Sequence, residues 1–298
     1  MTRPVTQFLS LFLLGLGLVV SLPALAESPA RIEAGAVHEG PVQSRNGAVE
    51  IEDDARIDGD VSARNGSVRI GERVVAGNIE TRNGSVTTGA EGQFGRIESR
   101  NGSIALGAGS TSTDLQTRNG AIRLGTNSTV NGMVETRNGR IEVAENVTIR
   151  GDLQARNGVI ELAADTRVEG HVVSRNGAIR LHQVQVTGNV SSRTGDLILR
   201  QGSRVGGDLI IEISESAGNR GWFGFGRARY PEAGNIEVLE GSEVSGDVIV
   251  ILPEDYDRDP PTVTVDAGSR VLGEIKADSR VQVLIEAEIS GSSDQSTP

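Results

Sequence analysis

The chain of 298 residues has no cysteine, a single lysine (Lys276), three histidines and only 3% aromatic residues. Without cysteine there is no disulfide and no attachment point for a lipid anchor, so packing alone must hold the fold. Long apolar runs are equally scarce. The one that exists is at the start, where MTRPVTQFLSLFLLGLGLVVSLPALA has a basic first stretch, an apolar middle and Ala24-Leu25-Ala26 before Glu27. This pattern predicts a cleaved signal peptide over residues 1–26. The run from Phe8 to Val20 is short for a retained membrane span and stops at Ser21 and Pro23. Periplasmic or extracellular localisation follows from the leader. Removing Arg3 with it leaves 28 basic against 40 acidic residues, a net of −12. Such a balance argues against nucleic acid as a partner.

What the sequence does contain is a repeat. Arg-Asn-Gly recurs with its arginine at Arg45, Arg64, Arg82, Arg100, Arg118, Arg137, Arg156 and Arg175, and Arg193-Thr194-Gly195 is an altered ninth copy. Neighbouring copies are 18 or 19 residues apart, a solenoid period. Counted from its recurrent glycine, the coil GMVETRNGRIEVAENVTIR has apolar residues at its third, tenth and twelfth positions and another near the eighteenth. Short segments with a period of two are strands, with Val134, Thr136, Ile141, Val143 and Ile149 pointing one way. Asn-Gly turns the chain between strands, because asparagine tolerates and glycine readily adopts the left-handed region. A hairpin meander would put successive turns at alternate ends, whereas a climbing coil puts every copy on one edge. At roughly 3.3 Å per residue, 18 residues give a perimeter near 60 Å, or three sides of about 20 Å.

The expected fold is therefore all-β: a single parallel β-helix of about twelve coils between Gly40 and Gly291, roughly 55–60 Å long. The left-handed hexapeptide form needs an apolar residue every sixth position, which these coils lack, so a right-handed form is expected. Residues 27–39 are assigned to an N-terminal cap and residues 292–298 to a disordered tail.

The string VETRNGRIEV resembles the repeat of bacterial envelope putative-adhesin β-helix domains, and EGSEVSGDVIV is similar to bactofilins, the polymer-forming β-helix proteins. The likeness spans residues 40–291. It implies a right-handed β-helix, possible self-assembly and no known catalytic residues; separately, the unpaired strand groups at the two open ends of such a coil make possible a weak self-association. A signal peptide departs from the bactofilin pattern and argues against a cytoplasmic filament.

Two functional candidates emerge. The first is the arginine column itself, which alternation places on the outer face at intervals of about 4.8 Å. It reads either as a ladder whose guanidinium groups tie corner carbonyls, with Glu80, Glu98 and Glu135 relieving the repulsion, or as a basic stripe for a polyanion. The structural reading is the one expected.

The second candidate lies where the repeat fails. SESAGNRGWFGFGRARYPEAG, at residues 214–234, and PEDYDRDPP, at residues 253–261, replace the Arg-Asn-Gly corner in successive coils. Of six aromatic residues beyond the leader, Trp222, Phe223, Phe225, Tyr230 and Tyr256 fall here and only Phe94 in the repeats. Either they fold down as a plug or they form a contact surface, with Arg220, Arg227 and Arg229 beside them. The partner would be an envelope glycan, a lipid headgroup or a protein. Asp255, Asp257, Asp259 and Asp266 mimic calcium-loop spacing, but Pro260 stands where such loops need glycine. His38, His171 and His182 share no spacing, and no nucleophile elbow, phosphate loop or metal cluster occurs, so neither metal nor cofactor is expected. The sequence points to a non-enzymatic structural or adhesive envelope protein, with a carbohydrate-active protein working through the two loops as the alternative.

Overall fold

The computed structural model describes residues 30–214 and 230–286. Among them there is no helix, and 37 short strands stack into three parallel sheets of 13, 12 and 12 strands. The first sheet runs from Ala30–Ile32 to Gln282–Ile285, the second from Val37–Glu39 to Arg270–Val271, and the third from Val42–Ser44 to Ile275–Ala277. One coil visits all three. Val134–Asn138 lies in the third sheet, Ile141–Val143 in the first and Thr148–Ile149 in the second. The protein is a three-sided parallel β-helix of thirteen coils.

The extra coil comes from residues assigned to a cap. Ala30 pairs with Val49 and Val37 with Arg56, each 19 residues on, so the segment from Ala30 is the first coil. At the other end the last coil leaves Leu272 and Ile285 each 60% exposed, and Lys276 is ion-paired with Asp247 and Glu274. The leader and residues 287–298 lie outside the described residues.

Register follows the strand period. Val134, Thr136, Ile141, Val143 and Ile149 are all buried, as expected, and so is Val147, which the pattern did not single out. Ile104, Ile122, Ile141, Ile160 and Ile179 stand directly above one another, so identical side chains fill identical slots along the axis. Fully burying each such side chain contributes about 1.5–3 kcal/mol. A one-residue slip would turn the whole column outward, which is what fixes the register.

The insertions leave the sheets intact. Ile198 pairs with Glu237 and Glu237 with Thr264, jumps of 39 and 27 residues between coils whose strands remain in step. Both insertions leave from the edge between the third and first sheets, where the regular coils carry Arg-Asn-Gly.

Candidate functional site

At that edge the corner is built differently from the sequence expectation. Neither the asparagine nor the glycine of any Arg-Asn-Gly copy has a positive φ. The left-handed residues sit at the next corner, between the first and second sheets, where Arg73, Asn127 and Asn146 have φ of 55°, 60° and 57°. Glycine is required at Arg-Asn-Gly for space. A Cβ on Gly139 would stand 1.9 Å from the carbonyl oxygen of Gly120 in the coil below, and one on Gly158 would stand 1.8 Å from that of Gly139.

Asparagine forms a ladder. The Nδ2 of Asn138 donates to Oδ1 of Asn119 (2.8 Å), Asn157 to Asn138 (2.7 Å) and Asn176 to Asn157 (2.7 Å). The same bond continues downward through Asn119, Asn101, Asn83 and Asn65 to Asn46. Corner carbonyls are also satisfied without arginine. The buried hydroxyls of Thr81, Ser99, Thr117, Thr136 and Ser174 donate to the corner glycine carbonyl of the previous coil at 2.8–3.1 Å. The backbone N–H groups of Asn65, Asn83, Asn101, Asn119 and Asn176 meet the carbonyl of the arginine below, at 2.9 Å for Asn176 and Arg156.

This overturns the corner-tying role of the arginines. The side chains of Arg45, Arg64, Arg82, Arg100, Arg118, Arg137, Arg156 and Arg175 are exposed and make no ion pair and no hydrogen bond among the described residues. Glu80, Glu98 and Glu135, the expected counter-charges, form no ion pair with them. Arg193, the altered ninth copy, donates to the carbonyl of Ser214 at 2.7 Å, at the base of the first insertion. Arginines elsewhere behave otherwise. Arg123 and Arg140 both hold Glu142 at 2.6 Å and push its carboxyl below the usual range, and Arg73 holds Asp54 at 2.7 Å. Twelve of the fifteen described arginines outside the nine copies contact a carboxylate, against none of these eight.

An open groove of about 910 Å3 runs along the upper part of this row. It is lined by Arg118, Arg137, Arg156, Arg175 and Arg193, by Asn119, Asn138, Asn157 and Asn176, and by Thr194 and Pro231, with no acidic residue. A second groove, on the third-sheet side, contains Arg82, Arg100, Arg118 and Arg137 but also Glu80, Glu98 and Glu135.

The insertion bases form a clasp. Tyr230 and Tyr256 are 3% and 7% exposed, with ring centroids 6.0 Å apart and planes tilted by 51°. The Tyr230 hydroxyl donates to Asp255 Oδ1 (2.6 Å), and the Ala233 N–H donates to the Tyr256 hydroxyl oxygen (2.9 Å). Burial pushes the Tyr256 phenol up. Arg258 donates to the Tyr230 carbonyl (3.2 Å), and Arg280 to the carbonyls of Pro253 (2.7 Å), Glu254 (3.3 Å) and Tyr256 (3.4 Å). These two tyrosines therefore join one insertion to the other and are buried in doing so. Trp222, Phe223, Phe225, Arg220, Arg227 and Arg229 lie outside the described residues.

Three further residues weighed in the sequence, Asp255, Asp266 and His171, make structural hydrogen bonds. Asp255 is taken by Tyr230, and Asp266 Oδ2 accepts the Glu240 N–H (2.6 Å). His171 Nδ1 accepts the Asn189 N–H (2.9 Å) within the corner between the second and third sheets. Among the described residues no group of three or more His, Cys, Asp or Glu is arranged to hold a metal ion, and no helix is long and apolar enough to cross a membrane. Comparison with protein-family models, with curated proteins and with solved structures finds no match.

Proposed function

We propose that the protein is an exported, non-enzymatic rod of the cell envelope whose row of corner arginines binds an anionic polymer, giving it a structural or adhesive role. One observation carries the reading. Eight exposed guanidinium groups stand in register without a partner on a chain that is otherwise acidic and otherwise pairs most of its arginines. Like charges about 4.8 Å apart repel, and nothing in the corner needs them, since stacking, asparagine and hydroxyl groups already satisfy its polar atoms. A polyanion would remove the repulsion and release its own counterions. Single exposed pairs are weak, but several on one rigid edge act together.

The row is preferred to the insertions because the described aromatics of the insertions are spent on each other. Its test is retention of the purified mature protein on polygalacturonate and polyphosphate matrices against neutral dextran at low salt. Wild type is expected to be retained on an anionic matrix. A variant with Arg118, Arg137, Arg156 and Arg175 all changed to Gln is expected in the flow-through with an unchanged melting temperature. Equal retention of the two proteins sinks the reading.

A further inference from the structure

We infer that the ligand is an extended acidic polysaccharide that lies parallel to the rod axis between Arg118 and Arg193 and presents one carboxylate to each coil. The inference deepens the anionic-polymer reading and rests on it. Three observations carry it.

The first is location. Between Arg118 and Arg193 the groove on the asparagine side has five arginines and no carboxylate, whereas on the third-sheet side Glu80, Glu98 and Glu135 line grooves with Arg82, Arg100, Arg118, Arg137, Arg156 and Arg175. An anion entering on the asparagine side meets no like charge in the groove wall. From the third-sheet side, the lower coils present two carboxylates, Glu80 and Glu98, and the upper coils one, Glu135.

The second is the chemistry beside the cations. Each ladder asparagine uses one N–H and one acceptor position on its neighbours, as Asn138 does between Asn119 and Asn157. The second N–H of the amide and the second lone pair of its oxygen remain. Such a row suits a chain carrying hydroxyl groups, which both donate and accept, better than a phosphate chain, which at neutral pH only accepts. Thr194 adds a hydroxyl at the upper end.

The third is pitch. Neighbouring corners are one rung apart, about 4.8 Å, and the Asn–Asn bonds of 2.7–2.8 Å hold that interval constant from Asn101 to Asn176. A 1,4-linked uronate chain carries one carboxylate on every sugar, and the long exposed arginine side chains can reach carboxylates on either side of such a chain. Duplex nucleic acid advances only about 3.4 Å per phosphate on each strand and drifts out of step within a few coils.

Titration calorimetry with oligogalacturonates of increasing length tests the inference on the mature protein, with inorganic polyphosphate as the comparison. Affinity is expected to climb with each added sugar up to about four, one for each of Arg118, Arg137, Arg156 and Arg175, and then to level, weakening as salt is added. The variant R137Q/R156Q/R175Q is expected to lose at least about tenfold in affinity, and R45Q/R64Q/R82Q no more than about twofold. Thermal melts of both variants establish that each is folded. Polyphosphate binding with the same arginine dependence, while oligogalacturonate fails, overturns the glycan and leaves the anionic-polymer reading standing. Affinity independent of length overturns the one-per-coil register, and equal losses in the two variants overturn the location. If neither polymer binds, this inference and the reading beneath it fall together.

Discussion

At a regular corner the chain turns on a glycine pressed against the glycine below, an asparagine bonded to the asparagine below, and usually a hydroxyl that donates to the glycine carbonyl below. At the two interrupted corners the asparagine bond and the hydroxyl are gone, and only Gly234 keeps the close glycine contact, with Gly195 below. Tyr230 packs on Tyr256 instead, and Arg258 and Arg280 reach the carbonyls that the longer chain leaves over. The task expected of the repeated arginines, tying corner carbonyls, is thus performed only where the repeat has gone. Where coils stack identically, the backbone of one coil satisfies the next and arginine is left without structural work. Where they do not, a long side chain with several donors is recruited to bridge the irregularity.

The largest way to break the comparison is to attack what both regions stand on. Ile141 is fully buried within the isoleucine column of the first sheet, so Ile141→Asp places an unpaired carboxylate in the core and should cost roughly 4 kcal/mol or more. Its outward neighbour Glu142 is held by Arg123 and Arg140, and Glu142→Gln should cost about 0.5 kcal/mol, the scale of an exposed pair. Chemical denaturation of both variants checks this. Similar losses at the two sites would refute the register.

Next is the contact that defines the regular corner. Gly139→Ala must open the gap to Gly120, whose carbonyl oxygen would lie 1.9 Å from the new Cβ, and should cost about 2–4 kcal/mol. Gly241, at an αL corner, has nothing closer than 3.9 Å to its Cβ position, so Gly241→Asn, a residue that tolerates that conformation, should cost much less. Were glycine present at Arg-Asn-Gly for its left-handed freedom, the ranking would reverse.

Much of the fold is legible in the sequence because the solenoid repeats. The period gave the coil length, alternation gave the inward positions from Val134 to Ile149, and loss of the triplet marked both insertions. What escaped are contacts between coils. An Asn-Gly pair reads locally as a left-handed turn, and only stacking reveals that the asparagines bond to one another and the glycines make room. The true left-handed corner carries Asp54, Arg73, Glu91, Asn127 and Gln183 at equivalent places, residue types too mixed to leave a signal. Tyr230 and Tyr256 could be seen as unusual but not as partners, since they stand 26 positions apart in two insertions of different length. The freedom of the arginines was invisible for the same reason: the hydroxyl donors that replace them, such as Thr136, are read from sequence only as small inward residues.

The interrupted corners give a smaller effect. Tyr256→Phe leaves the Ala233 N–H without its acceptor and should cost about 1–2 kcal/mol, with no counterpart at any regular corner. The clasp also has a pH signature. Arg280 holds the Asp278 carboxyl down to about 2 from its ordinary 3.8, so this pair stabilises the folded state above the ordinary value and is lost as pH falls towards 2. The difference in melting temperature between wild type and Asp278→Asn should therefore be constant from pH 7 to about 5 and vanish near pH 2. A difference that persists at pH 2 would mean that the pair is not what holds the clasp.

The smallest expected change in stability falls on the residues that are most regular in the sequence. If the corner arginines held carbonyls, replacing Arg137, Arg156 and Arg175 together by Gln would lower the melting temperature much as a change at Arg280 should, because each would leave an acceptor bare. They hold none, and they stand one rung apart with one carboxylate, that of Glu135, in the groove beside the three of them, so their mutual repulsion opposes folding. The triple variant should melt at the wild-type temperature in 0.5 M salt, where charges a rung apart are largely screened, and slightly above it at low salt. Arg280→Gln should lower the melting temperature at both, since its bonds to Pro253, Glu254 and Tyr256 are short-range and resist screening. A destabilised triple variant at either salt would restore the arginines to the corner and remove the reason for giving them a ligand. An unchanged or raised one leaves a row of cations that costs the fold something and is kept in eight successive coils, which is what a binding edge requires.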